Sequence, residues 1–107
     1  MPIPDSRNED YTTVLTELVE LHDRKSHDYA NKDNPFSNFE FAAQYAGVTV
    51  GQVFDVLIGI KIARKMELNT KDPLNESRKD TEQDMTNYHL IKMAFFRREE
   101  RRRGLDK

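Results

Sequence analysis

The chain has 107 residues, 17 Lys plus Arg against 19 Asp plus Glu, no Cys and no Trp, a length that holds one domain. Without Cys there is no disulfide framework, thiol nucleophile or Cys-ligated zinc, and a net charge of −2 excludes a strongly basic nucleic-acid binder. Hydrophobic residues reach 36% and charged residues 34%, against roughly 25% charged in an average globular chain. A thin core under a charged shell points to homo-oligomerisation as a way of enlarging that core.

Residues 1–8, with Pro2, Pro4, Ser6 and Asn8, read as a flexible lead-in that lacks the basic and apolar regions of a signal peptide. Asn8-Glu9-Asp10 marks a helix start, with a cap and acids in the positive first turn. Tyr11, Val14, Leu15, Leu18, Val19 and His22 then recur at steps of three and four, predicting an amphipathic helix from 9 to about 24. Residues 25–35 carry no apolar period and are expected to form a polar loop. Ser37-Asn38-Phe39-Glu40 has the form of a capping box, with Phe36 and Phe41 at the positions of a hydrophobic staple. It opens a short helix, about 38–46, that Gly47 is suited to end. Thr49-Val50-Gly51-Gln52 repeats the capping-box pattern, stapled by Val48 and Val53. The helix it starts runs to about Leu68. Val53, Phe54, Val56, Leu57, Ile58 and Ile60 leave it little polar face, so a central, buried helix is expected. A loop around Asp72-Pro73 covers 69–79, and a last long helix begins between Ser77 and Asp80. It closes in an arginine-rich run with Gly104 as the stop. The sum is an all-α small bundle of three long helices and one short one. Residues 9–98 form a single helical domain and 99–107 a charged tail. No apolar run approaches the roughly 20 residues that span a bilayer, so a cytoplasmic location without membrane contact is expected.

Function is sought where polar residues break the pattern. At about 100° per residue, Leu57, Lys61, Arg64 and Leu68 fall near one line of the third helix. Asp80, Asp84, Asn87, Tyr88, Ile91 and Phe95 share a face of the last. A short connection makes these two helices antiparallel neighbours, so Lys61 and Arg64 are expected beside Asp80 and Asp84. Such a cluster serves as a structural ion-pair set or as a polar pocket for a charged small molecule. Lys25-Ser26-His27-Asp28-Tyr29-Ala30 and Asn34-Pro35-Phe36-Ser37-Asn38-Phe39 add a cation, amides and aromatic faces, the groups that hold a phosphate and stack a base. In this reading Lys25, Lys61 and Arg64 neutralise phosphate and Tyr29 stacks or hydrogen-bonds. Asn38 and Asn87 read polar edges, Asp80 and Asp84 orient the cations or contact ribose hydroxyls, and Asp28 and Tyr88 complete the ligand shell. Glu17 and Glu20 form a Glu-x-x-Glu pair, which in a monomer faces water.

Lys25-x-x-Asp28-Tyr29-Ala30, the Asn34–Phe39 segment and Asp80-Thr81-x-x-Asp84-x-x-Asn87-Tyr88 together resemble small helical proteins of tailed bacteriophages. Some of these are grouped with nucleotide-modification-associated domains and, more distantly, with the MazG-like all-α nucleoside triphosphate pyrophosphohydrolases. The resemblance spans about residues 10–95. For the MazG-like enzymes it implies Mg²⁺ held by acidic residues of two helices, matching Glu17 with Glu20 and Asp80 with Asp84, although the second pair here is spaced by four rather than three. Small phage proteins of this size also include sponges that capture the nucleotide signals of bacterial immunity without cleaving them, in the host cytoplasm. The expectation drawn is a homo-oligomer that binds a phosphorylated, nucleotide-like small molecule without turnover, with no catalytic residue and no cofactor. The enzyme alternative is Mg²⁺-dependent pyrophosphohydrolysis, and the third is a structural or protein-interaction helical module.

Overall fold

The computed structural model describes residues 7–29, 33–68 and 77–104, except for the side chains of Asp28 and Tyr29. Among them there are four helices and no strand: α1 Glu9–Tyr29, α2 Ser37–Ala46, α3 Val50–Leu68 and α4 Arg78–Arg102. By compactness the chain divides into two units, Met1–Ser37 and Asn38–Lys107. The lead-in at 1–6, Ala30 and the expected loop around Asp72-Pro73 lie outside the described residues.

In the first unit Asn8 caps α1 as expected, its Oδ1 accepting from the Tyr11 amide at 3.0 Å. The helix then continues past residue 24 to Tyr29, so Lys25, Asp28 and Tyr29 belong to a helix rather than a loop. The apolar period fades at 24, but no Gly or Pro intervenes before Pro35. Arg24 and Lys25 are exposed and, as good helix formers, need no buried face to remain helical. The apolar stripe is also less buried than its spacing suggests. Leu18 is 6% exposed, whereas Tyr11, Val14 and Val19 are exposed.

The second unit is built on an antiparallel hairpin of α3 and α4. Three ion pairs record the register: Asp55 with Lys92 at 2.7 Å, Lys61 with Asp84 at 3.0 Å and Lys65 with Glu82 at 2.6 Å. Each step forward along α3 meets a step back along α4. The Leu68 carbonyl accepts from the Arg78 guanidinium where the two helices meet their connection. Thr49 and Gln52 make the expected reciprocal box, with the Thr49 amide donating to Gln52 Oε1 at 2.9 Å and the Gln52 amide to Thr49 Oγ1 at 3.1 Å. Phe54, fully buried, is the centre of the unit, its ring 4.6 Å from that of Phe39 on α2 and 6.5 Å from that of Phe95 on α4.

Helix α3 is not the all-round buried rod its composition suggests. Phe54, Ile58 and Leu68 are buried, while Val56, Ile60, Ile62 and Met66 on other faces are exposed. Its apolar residues are distributed round the helix, and the hairpin with α4 covers only one side. No single described helix is long and apolar enough to cross a membrane; α2 and α3 together are apolar enough but are bent by 96°.

Helix α2 starts within one residue of its expected place. It begins at Ser37 itself, and the turn before it is closed by Asn34, whose Oδ1 accepts from the Phe36 amide at 3.1 Å and whose carbonyl accepts from the Ser37 amide at 3.1 Å. Phe36 is buried but Phe41 is 70% exposed and stacks on Tyr45, so the Phe36–Phe41 staple does not bury its second member. At the other end the Schellman pattern is complete. The Val48 amide donates to the Ala43 carbonyl at 3.0 Å and the Gly47 amide to Gln44 at 3.3 Å, with Gly47 at φ 71°. A Cβ at Gly47 meets no atom within 4 Å, so the conformation alone opposes a side chain. Gly47→Ala is therefore expected to cost about 1 kcal/mol. The check is a lowered urea midpoint at unchanged slope; an unchanged midpoint would show that this turn does not limit stability.

Candidate functional site

Helix α4 supplies most of the polar groups. Ser77 caps it in a capping box: Ser77 Oγ accepts from the Asp80 amide at 3.0 Å, and Asp80 Oδ2 accepts from the Ser77 amide at 3.3 Å. This corrects the expected place of Asp80. Its carboxylate is exposed at the helix start and satisfies a backbone donor, instead of joining Asp84 on the inward face. The helical phase explains it, since the inward stripe begins one residue later at Thr81, which is 1% exposed and donates to the Ser77 carbonyl at 3.1 Å. From Thr81 the stripe runs through Asp84, Asn87, Ile91 and Phe95 to Arg98.

Of the charges expected to meet, Lys61 and Asp84 form an ion pair. Lys61 Nζ lies 3.0 Å from Asp84 Oδ2, and both side chains are 17% exposed. Partial burial separates this pair from the neighbouring Lys65–Glu82 pair, where both members are about half exposed and the contribution to stability is roughly 0–1 kcal/mol. Arg64 is exposed. A step of three residues turns about 300°, which carries Arg64 off the line of Lys61 toward the edge of the α3 face. Asn87, three residues beyond Asp84 and on the same face, is 4% exposed. Its side-chain amide hydrogen-bonds to no described residue. Among the described residues no polar side-chain atom sealed from solvent lacks a partner, so that amide keeps an opening to water. Tyr88 beside it is half-buried.

The remaining candidates stand apart from this seam in exposure. Asn38 is exposed on α2, and Lys25 is exposed on α1. Asp28 and Tyr29 lie in the last turn of α1 with side chains outside the description. Glu17 is half-buried and Glu20 exposed on α1. Among the described residues no three His, Asp or Glu side chains come together to hold a metal ion. A surface hollow of about 430 Å³ is lined by Met93, Ala94, Phe96, Arg97 and Glu100 and contains none of the candidate ligand residues.

One polar residue escaped the sequence pattern. Arg98, within the arginine-rich run that closes the last helix, is 9% exposed. Its Nη2 donates to Glu40 Oε2 of α2 at 3.0 Å and to Glu99 Oε1 at 2.9 Å, and its guanidinium lies 5.1 Å from the Phe95 ring centre. The signal was available, because Ile91, Phe95 and Arg98 continue the i, i+4, i+7 spacing of the buried face. Helix α4 accordingly runs through the start of the expected charged tail to Arg102. Gly104 follows at φ 73°, its amide donating to the Arg101 carbonyl at 3.0 Å.

No protein-family model matches the chain, and no curated protein or solved structure matches it. What the geometry defines, among the described residues, is an all-α chain in which a partly buried ion pair, Lys61 with Asp84, and the buried amide of Asn87 lie between two antiparallel helices.

Proposed function

We propose that the chain binds a phosphorylated, nucleotide-like small molecule at the α3–α4 seam and holds it without turnover. The observation that carries this reading is the Lys61–Asp84 pair at 3.0 Å, with both members 17% exposed, beside an Asn87 amide with no described partner. A buried-leaning ammonium donates to phosphate oxygens in charge-assisted bonds. The carboxylate accepts from sugar hydroxyls, and the amide offers both a donor and an acceptor to a base edge. The resemblance to phage proteins then suggests sequestration of a nucleotide signal used in host defence. Exposed Val56, Ile60 and Met66 on α3 support a homo-oligomer, since a second copy would shield apolar surface that the single chain leaves wet.

The test is to incubate the protein with nucleoside triphosphates, cyclic dinucleotides and cyclic ADP-ribose species, with and without Mg²⁺, then heat it and analyse the supernatant. Depletion of a ligand that reappears intact on heating is the expected result. Mg²⁺-dependent formation of monophosphate and pyrophosphate would instead assign the MazG-like activity, and no depletion from the panel would leave the seam as a structural ion pair. Lys61→Ala should weaken capture roughly ten- to hundredfold, the loss of one charged hydrogen bond. Unchanged capture would remove Lys61 from the site.

A further inference from the structure

A seat for a bare phosphate is normally a cation with no carboxylate against it, whereas Lys61 faces Asp84. The Lys61 ammonium is already matched by Asp84 at 3.0 Å, with both groups drawn to 17% exposure. An inorganic polyphosphate approaching Lys61 gains the cation but brings its own oxygens against the Asp84 carboxylate. An ionised carboxylate only accepts, and a polyphosphate near neutral pH keeps few protons to donate to it. The like charges repel in surroundings that screen less than bulk water. A ligand that presents hydroxyl donors next to its phosphate meets no such conflict. Its phosphate takes Lys61, its hydroxyls donate to Asp84, and Asn87, one turn along the same face, has an amide available for a further polar edge.

Resting on the nucleotide-binding reading of this seam, we propose that Asp84 is its specificity-determining residue: it rejects phosphate anions that arrive without neighbouring donors and selects ligands carrying ribose hydroxyls beside the phosphate. Specificity of this kind comes from a group that penalises the wrong ligand as well as from one that holds the right one. The neutral isostere, Asp84→Asn, keeps the shape and an acceptor oxygen but removes the penalty.

The experiment is isothermal titration of the full chain and of Asp84→Asn with the four ribonucleoside diphosphates and, separately, with inorganic pyrophosphate. Expected is a wild-type preference of at least tenfold for one or more nucleotides over pyrophosphate. In Asp84→Asn, pyrophosphate should bind at least tenfold tighter and the nucleotide more weakly. A preference unchanged in the variant, or equal loss of both ligands, overturns the role of Asp84 while leaving nucleotide binding in place. Failure of every ligand to bind either protein removes the nucleotide reading itself and this inference with it. Thermal unfolding of the variant is followed in parallel, and Asp84→Ser repeats the comparison should the asparagine variant not fold.

Discussion

Phe54→Ala is expected to destabilise the protein by about 3–5 kcal/mol, the range for removing a fully buried phenylalanine from a core. Among the described residues Phe54 is the largest side chain with no exposure, and its ring lies against Phe39 of α2 and Phe95 of α4. Truncation therefore opens a void at the point where three helices meet, and both neighbouring rings lose their contact with Phe54. Against a total stability of roughly 5–15 kcal/mol for an ordinary domain, this removes a large share and should lower the unfolding temperature by well over 10 °C. The matched control is Val56→Ala, two residues away on the exposed side of α3 and 62% exposed, for which about 0.5 kcal/mol is expected. Comparable losses in the two variants, measured by urea unfolding, would mean that the outer side of α3 is as tightly covered as the inner one.

Arg98→Ala carries the second large effect, about 2–3 kcal/mol. The guanidinium is 9% exposed, bonds Glu40 and Glu99, and lies against the face of Phe95. Removing it leaves Glu40, 35% exposed, without this cation and strips packing from Phe95. Because both carboxylates keep some contact with water, the loss should fall below the roughly 3–5 kcal/mol seen when a fully buried pair is broken. Arg98→Lys should recover less than half of it, since a single ammonium cannot reach two carboxylates and lie flat on a ring at once. A double-mutant cycle with Glu40→Gln is expected to give a coupling of about 1–2 kcal/mol. A coupling near zero would show that the clasp between α2 and α4 is packing alone.

Several features of this fold were legible in the residues because their causes are local. The Asn8 cap, the Thr49–Gln52 box and the Gly47 and Gly104 stops each involve partners within a few positions in sequence. Antiparallel packing of α3 on α4 followed from a short connection, and with it the meeting of Lys61 and Asp84. The end of α1 was not legible, because fading of the apolar period marks the end of a buried face and not the end of a helix. Asp80 was misplaced for a similar reason: a carboxylate three residues after a serine serves the helix cap and the inward stripe equally well on paper, and the phase of α4 assigned it to the cap.

The sequence by itself determined the helical class, the capping chemistry and which residues could share a face, since each depends on spacing along one chain. Only the tertiary structure decided which of those faces is covered. It buried Phe54 and Arg98, left Val56, Ile60, Met66 and Arg64 exposed, and paired Lys61 with Asp84. The physical reason is that burial belongs to two surfaces at once: a helix specifies its own periodicity, but only its partner decides which side loses water.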